Sequence, residues 1–379
     1  MSPSAELNSA KQRDANLDLL RIISMLLIVF LHSIDHSGVL EAAESCPGPM
    51  YFYIRFTYCL CQVCVNCYVM LSGYYLVNSR FRIQKLVVLW METVFYSFVL
   101  KLLFMLTGQT SFSLFSLISC FFPVVTGRYW FITIYAGMYL ISPFLNKLVR
   151  AMNQKEHTRL NLCLFVLFSL WISLYPSFAG MNSGGGWGLA WFVVLYLAAA
   201  WFRLYYTPKH KPAVLFGAFL LIPLLIVAGQ VAANVLGIGI LQRIISNWFR
   251  YDSAPVYLMT IALFAAFLNI RIKNKRLSTV ICFVAPLTLG VYLIHAHANV
   301  SPWIWQVAAL PEKMSSVQFP LIQFGIVFII FFTCAAVDIL RRCTIGKVEH
   351  AAWLQRCCEG ITRRIMSLTN HCEDATYTK

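Results

Sequence analysis

Long apolar stretches alternate with short polar segments along almost the whole chain. A helix that crosses a bilayer needs roughly 20 mostly apolar residues. Ten stretches of the 379-residue sequence approach that length, and some contain no charge at all, as between Phe56 and Ser79. We predict spans near residues 17–39, 51–77, 86–106, 129–148, 160–176, 189–204, 213–236, 255–270, 280–301 and 318–340.

These stretches predict an all-α integral membrane protein, a bundle of about ten transmembrane helices. The apolar segment 112–125 is too short for a further span, so we expect it to be re-entrant or interfacial. No cleavable signal peptide is expected, because a polar, charged tail precedes the first apolar stretch. Since no linker or repeat is visible, we predict one transmembrane domain over residues 1–345 and a short basic cytoplasmic tail over 346–379.

Composition and charge narrow the class of protein further. The sequence is 59% hydrophobic and 12% charged, which excludes a disordered chain and disfavours a cytosolic globule. Its net charge of +15 would suit a nucleic-acid partner. However, 23 of the 30 Lys and Arg residues fall in the tails and even-numbered loops, and only 4 fall in the odd-numbered loops. Because short cytoplasmic loops are enriched in these residues, we predict cytoplasmic termini, a multi-pass cell-membrane protein and no nucleic-acid partner.

The 13 cysteines do not indicate a disulfide framework, because their number is odd and most lie inside predicted spans. The tightest cluster includes Cys61, Cys64 and Cys67, which fall on one predicted membrane helix. Small residues of this kind favour close packing between helices in a membrane. We therefore expect packing cysteines and no metal cofactor.

The first predicted span carries titratable groups, which are costly inside a membrane and are commonly functional. Arg21 and His32 are 11 residues apart, or three helical turns plus about 20°, so they share one face about 16 Å apart. Asp18 and His36 lie close to the same stripe. This polar track places a cation suited to phosphate or carboxylate at its inner mouth and an imidazole deep in the membrane. A structural alternative is that Arg21 only snorkels and His32 bonds a neighbouring helix.

Four motifs, in order along the chain, carry a resemblance to a known family. The first is Arg21 and His32 with ten residues between them. The others read Met70-Leu-Ser72-Gly73-Tyr74, Tyr129-Trp130-Phe131 followed by Tyr139-Leu-Ile-Ser142-Pro143-Phe-Leu-Asn146, and Gly290-Val-Tyr292-Leu-Ile-His295. The chain resembles the membrane-bound acyltransferase 3 family, multi-span enzymes that O-acylate cell-surface glycans and related molecules. It departs from the family after the second span, where an Arg-x-x-Arg pair is replaced by Arg82 and Lys85.

The resemblance implies transfer of an acyl group, most often acetyl, from cytoplasmic acyl-CoA to a hydroxyl of an extracytoplasmic glycan or small-molecule acceptor. Arg21 would hold the phosphates or the pantetheine end of CoA. His32 would deprotonate the acceptor hydroxyl or transiently take the acyl group. Further donor- or acceptor-binding candidates are Asp18, Arg55, Ser72, Tyr74, Glu92, Trp130 and His295. Of these, Ser72, Tyr74 and Arg55 are also candidates for stabilising the charge that develops on the carbonyl oxygen.

Some of these residues also have structural explanations. Glu92 could pair with Arg55 or Lys101, and His295 could form a packing hydrogen bond. The glycine-rich run 183–188 is expected to be a flexible surface loop rather than a phosphate-binding loop.

A secondary transporter is the alternative from another functional class, because transporters also place ionisable groups near mid-membrane. The sequence shows no matching pair of short, interrupted spans that would favour it. A structural or sensor protein would leave the shared face of Arg21 and His32 unexplained. The sequence leaves open the acceptor, the acyl chain, the oligomeric state, and whether His32 acts as a base or as a covalent carrier.

Overall fold

The computed structural model describes residues 14–45, 48–175, 184–349 and 351–374, and in these residues the chain forms helices and no β-strand. The helices of the first half are α1 (Ala15–Asp35), α2 (Val39–Glu44), α3 (Pro49–Cys61), α4 (Val63–Leu76), α5 (Ile83–Leu106), α6 (Leu114–Ile118), α7 (Trp130–Ala151), α8 (Gln154–Phe165), α9 (Trp171–Leu174) and α10 (Leu189–Tyr205). Those of the second half are α11 (Pro212–Leu236), α12 (Gly239–Asn247), α13 (Ala254–Asn269), α14 (Lys275–Val284), α15 (Thr288–His295), α16 (Val300–Ala308), α17 (Leu310–Lys313), α18 (Phe319–Thr344), α19 (Gly346–Glu349) and α20 (Ala352–Asp374).

The predicted all-α membrane class is confirmed. Within the described residues, 8 helical stretches are long and apolar enough to cross a membrane: Ala15–Asp35, Pro49–Leu76, Ile83–Leu106, Trp130–Ala151, Gln154–Leu174, Pro212–Leu236, Lys275–His295 and Phe319–Thr344. The two remaining predicted spans coincide with α10 and α13, which are apolar helices of 17 and 16 residues. The side of the membrane on which the termini lie stays a prediction.

Three of the long stretches are interrupted where the sequence predicted continuous spans. α3 gives way to α4 at Gln62, and a π-helical turn, Val166–Leu170, joins α8 to α9. A 3₁₀ turn, Ala285–Leu287, joins α14 to α15 and contains a proline, which removes a helical N–H donor. The first helix also ends earlier than predicted, at Asp35, because Gly38 adopts the left-handed conformation with φ of 82°.

Helix α1 and the stretch α3–α4 form the centre of the bundle. Of the most apolar part of α3–α4, 72% is buried, compared with 22% for the peripheral helix α5. Helix α4 packs against α1 and α10, and a Cβ added at Gly73 would lie 3.1 Å from Tyr196 Cα. Cys61, Cys64 and Cys67 are buried and free of disulfide bonds. Small side chains therefore allow the close helix contacts at the centre, as membrane helices commonly use them.

The odd-numbered loops meet at the end of the bundle where α1 finishes, which we call the His36 end. His36 Nδ1 lies 3.3 Å from Ser301 Oγ, at the start of α16 in the connection between α15 and α18. Trp130, after the third loop, stacks on Trp187, at the end of the fifth, with ring centroids 4.8 Å apart. These contacts bring residues from distant parts of the chain around one opening.

The even-numbered loops and the tail meet at the opposite end, which we call the Arg21 end. The Tyr75 hydroxyl donates to Asp14 Oδ2 at 3.2 Å, which joins the end of α4 to the start of α1. The Ile83 N–H donates to Thr362 Oγ1 at 3.2 Å, which joins the start of α5 to α20. The helices thus run up and down between two groups of loops, as the alternation of basic and non-basic loops predicted.

The apolar segment 112–125 forms the short helix α6 and a 3₁₀ turn, Ser119–Phe121. Both elements are too short to cross a membrane. The side chains of Phe115 and Val125 are 83% and 86% exposed, so they face the surroundings of the bundle. This arrangement fits the predicted interfacial or re-entrant position.

The tail, predicted only as a short basic segment, folds into α19 and α20 and packs against the bundle. Helix α20 contacts α5. Its Leu354 and Cys358 side chains are buried, whereas Trp353 is 58% exposed. Such a two-sided helix covers the bundle with its apolar face, so the tail forms part of the Arg21 end.

Candidate active site

A cavity of ≈ 230 Å³ lies near the His36 end, between α1, α4, α7 and α15. Its described lining combines histidines, aromatic rings and an arginine. The polar and aromatic residues in that lining are His32, Asp35, His36, Tyr68, Arg128, Trp130, Phe131, Trp187, Tyr251 and Tyr292. Aromatic walls around a few polar groups are typical of small-molecule sites.

One face of α1 supplies the polar side of this cavity. Met25, His32 and Asp35 line it at helical spacing. Arg21 lies one turn before Met25 on the same face, so the predicted alignment of Arg21 with His32 is present in the helix. Arg21 does not line the cavity itself, and its Nη1 donates to Asp18 Oδ1 at 3.2 Å. Both predicted residues therefore sit on the track, but only His32 reaches the cavity.

His32 is paired with His295, which lies 263 residues away in the sequence. His32 Nδ1 lies 3.1 Å from His295 Nε2, and His295 Nδ1 lies 2.6 Å from the Val291 carbonyl oxygen. A carbonyl oxygen only accepts hydrogen bonds, so His295 carries its proton on Nδ1. In a neutral pair, His295 Nε2 then accepts from His32 Nδ1. This leaves the His32 Nε2 lone pair free on a side chain that lines the cavity.

His36 covers His32 on the side of the opening. The two rings stack with centroids 4.3 Å apart and planes at 15°. Burial lowers the pKa of His36 below its usual value, although the neighbouring Asp35 carboxylate opposes this shift. A lowered pKa favours a neutral His36, so the ring stacked on His32 carries no positive charge.

Ser72 and Tyr74 lie outside the described lining of the cavity. The Ser72 hydroxyl donates to the Tyr68 carbonyl oxygen at 3.0 Å, one turn back on α4. The Tyr74 hydroxyl accepts from Arg203 Nη1 at 3.1 Å, and the Arg203 guanidinium lies 4.8 Å from the Tyr74 ring centroid. The Ser72 contact stays within α4, and the Arg203 contact ties Tyr74 to α10, so neither group is placed to contact a molecule in the cavity.

Arg55 also lies outside the cavity lining, while Trp130 forms part of it. Arg55 Nε donates to Gln230 Oε1 at 2.9 Å, and its guanidinium carbon lies 4.1 Å from the Phe249 ring centroid. These two contacts connect Arg55 of α3 with α11 and with the segment that follows α12. Of the predicted binding candidates, Trp130 is therefore in the cavity wall, and His295 is behind His32.

Glu92 belongs to a buried ionic network that joins α5, α18 and α19. Its Oε1 lies 3.5 Å from Arg341 Nη2, so its partner is Arg341 rather than the expected Arg55 or Lys101. Arg341 also binds Asp338 at 2.9 Å and contacts Glu349. Asp338 Oδ1 accepts from the Tyr96 hydroxyl at 2.7 Å. Buried charges need such pairing, so the structure places Glu92 in a network that anchors the start of the tail.

The same network explains the glycine of the fourth motif. A Cβ built at Gly290 would collide with the Asp338 carboxylate, so only glycine lets α15 approach α18 this closely. Gly290 lies five residues before His295 on α15. The packing of Asp338 therefore fixes the helix that carries the partner of His32.

Trp187 is a wall residue that the sequence interpretation missed. The glycine run was expected to be a flexible surface loop, and its first residue lies outside the described part of the chain. Gly184, Gly185 and Gly186 all have positive φ, and a Cβ at Gly186 would lie 2.5 Å from Tyr251 Cβ. The run therefore packs closely against Tyr251 and holds Trp187 over the cavity. Three glycines directly before a tryptophan were the available sequence sign of a tightly constrained turn.

Among the residues that the structure describes, no group of three or more His, Cys, Asp or Glu side chains is arranged to hold a metal ion. The model of an acyltransferase-domain family matches residues 14–339. This match takes in every helix from α1 to α17 and most of α18. A search of curated proteins and a search of solved structures found no match.

Proposed function

We propose that this chain, which belongs to the acyltransferase 3 family and is thus a multi-pass membrane acyltransferase, transfers acetyl from acyl-CoA to an acceptor hydroxyl. The donor binds from the cytoplasm, and the acceptor is an extracytoplasmic glycan or a related molecule. The enzyme is located in the cell membrane. Family membership favours this enzyme over the secondary transporter.

The observation that carries the proposal is the chain of contacts from Val291 O through His295 to His32. It leaves His32 Nε2 able to accept a proton from an acceptor hydroxyl. As that oxygen attacks the thioester carbonyl, the new C–O bond forms and the C–S bond breaks. The CoA thiolate leaves and takes the proton from His32. His295 Nε2 accepts from His32 Nδ1 throughout and so stabilises the imidazolium that forms in between.

The two substrates reach His32 from opposite ends of the bundle. With the Arg21 end in the cytoplasm, as the distribution of basic residues predicts, the donor passes Arg21 and presents its thioester to His32. The acceptor enters at the His36 end, between Trp130, Trp187 and Arg128. Broad aromatic faces suit the apolar face of a sugar ring, which supports a glycan as the acceptor.

The test uses the purified full chain in lipid vesicles with radiolabelled acetyl-CoA and an isolated surface glycan. His32→Gln should lower the rate of label transfer by about 10²–10⁴-fold, the usual contribution of a general base. His210→Gln is the matched control, because His210 is an exposed histidine on a loop at the Arg21 end. Label transfer by His32→Gln at the wild-type rate would overturn the assignment of His32 as the base. If label is trapped on His32 of the wild-type chain, His32 acts as a covalent carrier of the acyl group and not as a base.

A further inference from the structure

A groove at the Arg21 end concentrates positive charge on the surface of the bundle. It has a volume of ≈ 680 Å³ and lies between α7, the connection from α4 to α5, and α20. Among its described lining residues four are basic, Arg80, Lys147, Arg150 and Arg363, and none is acidic. Cations gathered around one groove repel one another, so an anionic ligand stabilises the arrangement.

Two of the four bases are available to such a ligand. Arg80 and Arg363 are exposed, and neither forms a hydrogen bond or an ion pair with another described residue. Arg150 uses Nη2 on the Val77 carbonyl oxygen at 3.3 Å, which leaves its other N–H groups for further contacts. A smaller adjoining cavity adds Arg82 together with one acid, Glu359.

The tail supplies one wall of this groove. Thr362 Oγ1 accepts from the Ile83 N–H at 3.2 Å, and this bond fixes that turn of α20 over the start of α5. Arg363 is the next residue and lines the groove. The family match ends at residue 339, so Arg363 is a feature of the tail beyond it.

One face of α7 connects the groove with the catalytic cavity. Phe131 lines the cavity, and Tyr139, Asn146 and Arg150 line the groove. Tyr135 lies between them and stacks on Phe131 with ring centroids 6.0 Å apart. From Phe131 to Tyr139 the helix rises about 12 Å. A donor whose charged head lies in the groove would need a narrow, flexible arm to reach His32.

From this geometry we propose that the groove binds the phosphorylated nucleotide of acyl-CoA, with Arg363 of the tail contacting a phosphate. The inference rests on the proposed function, which supplies acyl-CoA as the donor. The nucleotide carries the phosphates, and the pantetheine arm carries the thioester along α7 towards His32. The tail is then a part of the donor site and determines preference for the nucleotide-bearing donor.

Binding is tested with the full chain in phosphatidylcholine nanodiscs, by titrating CoA, dephospho-CoA and pantetheine. Arg363→Gln should weaken CoA binding about tenfold, since one charge-assisted contact is lost, and should leave pantetheine binding unchanged. Arg356→Gln is the control, because Arg356 is exposed on the same helix and lines neither cavity. Equal CoA affinity of wild type and Arg363→Gln would overturn the proposal, as would equal weakening of pantetheine binding.

Transfer kinetics separate this inference from the function on which it rests. Arg363→Gln should raise KM for acetyl-CoA with kcat unchanged, and should leave KM for S-acetylpantetheine at the wild-type value. If CoA binds as expected but no acyl group is transferred from either donor, the proposed function fails and the groove assignment holds.

Anionic lipid headgroups share the phosphate chemistry, so they are the competing occupant. The same titrations in nanodiscs with added phosphatidylglycerol distinguish the two sources. If Arg363→Gln still weakens CoA binding in these nanodiscs, the result supports the nucleotide site. If Arg363→Gln lowers only the retention of phosphatidylglycerol and leaves CoA affinity unchanged, the groove binds lipid and the proposal is overturned.

Discussion

The cavity at His32 and the basic groove lie at opposite ends of the same bundle and are lined by different kinds of side chain. His32 lines the cavity among aromatic rings, and one backbone carbonyl fixes its proton through His295. The groove holds four exposed bases supplied by loops, α7 and the tail. A hydrogen-bonded neutral group can be buried at little cost in free energy, whereas charged side chains are more stable where water reaches them. In the proposed enzyme, the chemistry therefore takes place inside the bundle, and the charged donor is recognised at its surface.

The contrast between a buried hydrogen-bonded histidine and exposed bases predicts how each region responds to amino-acid substitution. In the proposed mechanism, one displaced hydrogen bond in the cavity alters the protonation of His32 Nε2. In the groove, charges act through a screened field, so each one contributes modestly. Substitutions of the histidine pair should therefore change kcat, and substitutions of the aromatic wall should change KM for the acceptor. Substitutions in the groove should change KM for the donor.

The largest of the remaining effects is expected at His295. His295→Phe removes the acceptor for His32 Nδ1–H, so the proton is no longer held there, and kcat should fall on the order of 10²-fold. His295→Gln restores an acceptor oxygen and should recover part of the lost rate. KM for acetyl-CoA should stay unchanged in both variants. Equal loss in the Phe and Gln variants would show that His295 acts through packing alone.

A smaller effect is expected at the mouth of the cavity. Trp187→Ala removes an aromatic wall, and aromatic contacts contribute about 0.5–1.5 kcal/mol, so KM for the glycan acceptor should rise roughly three- to tenfold. KM for acetyl-CoA should not change. Trp303→Ala is the control, because Trp303 is a half-exposed tryptophan at the same end, outside the cavity lining. A rise in donor KM alone would reverse the assignment of the two entrances.

The smallest effect should come from ionic strength. Raising salt from about 0.05 to 0.5 M shortens the Debye length several-fold, so KM for acetyl-CoA should rise several-fold through weaker attraction to the groove. KM for an uncharged glycan should change less than twofold. Arg363→Gln should flatten the donor response. The same salt dependence for both substrates would contradict the division of roles between cavity and groove.

Part of the candidate site could be predicted from local spacing. Arg21 and His32 share a face because both lie on one continuous helix, and helical periodicity alone decides this. Glu92 shows the opposite case, since its partner Arg341 lies on a helix far along the chain. The sequence alone suggested other ion-pair partners for Glu92, such as the nearby Lys101. Spacing within one helix cannot reveal which other helix packs beside it.

Hydrophobicity and helical spacing are enough to predict the membrane class, the approximate spans and the stripe on α1. These depend on hydrophobicity and periodicity, which are properties of short segments. Three further features become visible only when the helices are packed together: His295 fixes the proton on His32, Trp187 covers the cavity, and Arg363 lines the groove. Each of these pairings depends on helix packing between distant segments, where small residues such as Gly290 set how closely the helices approach.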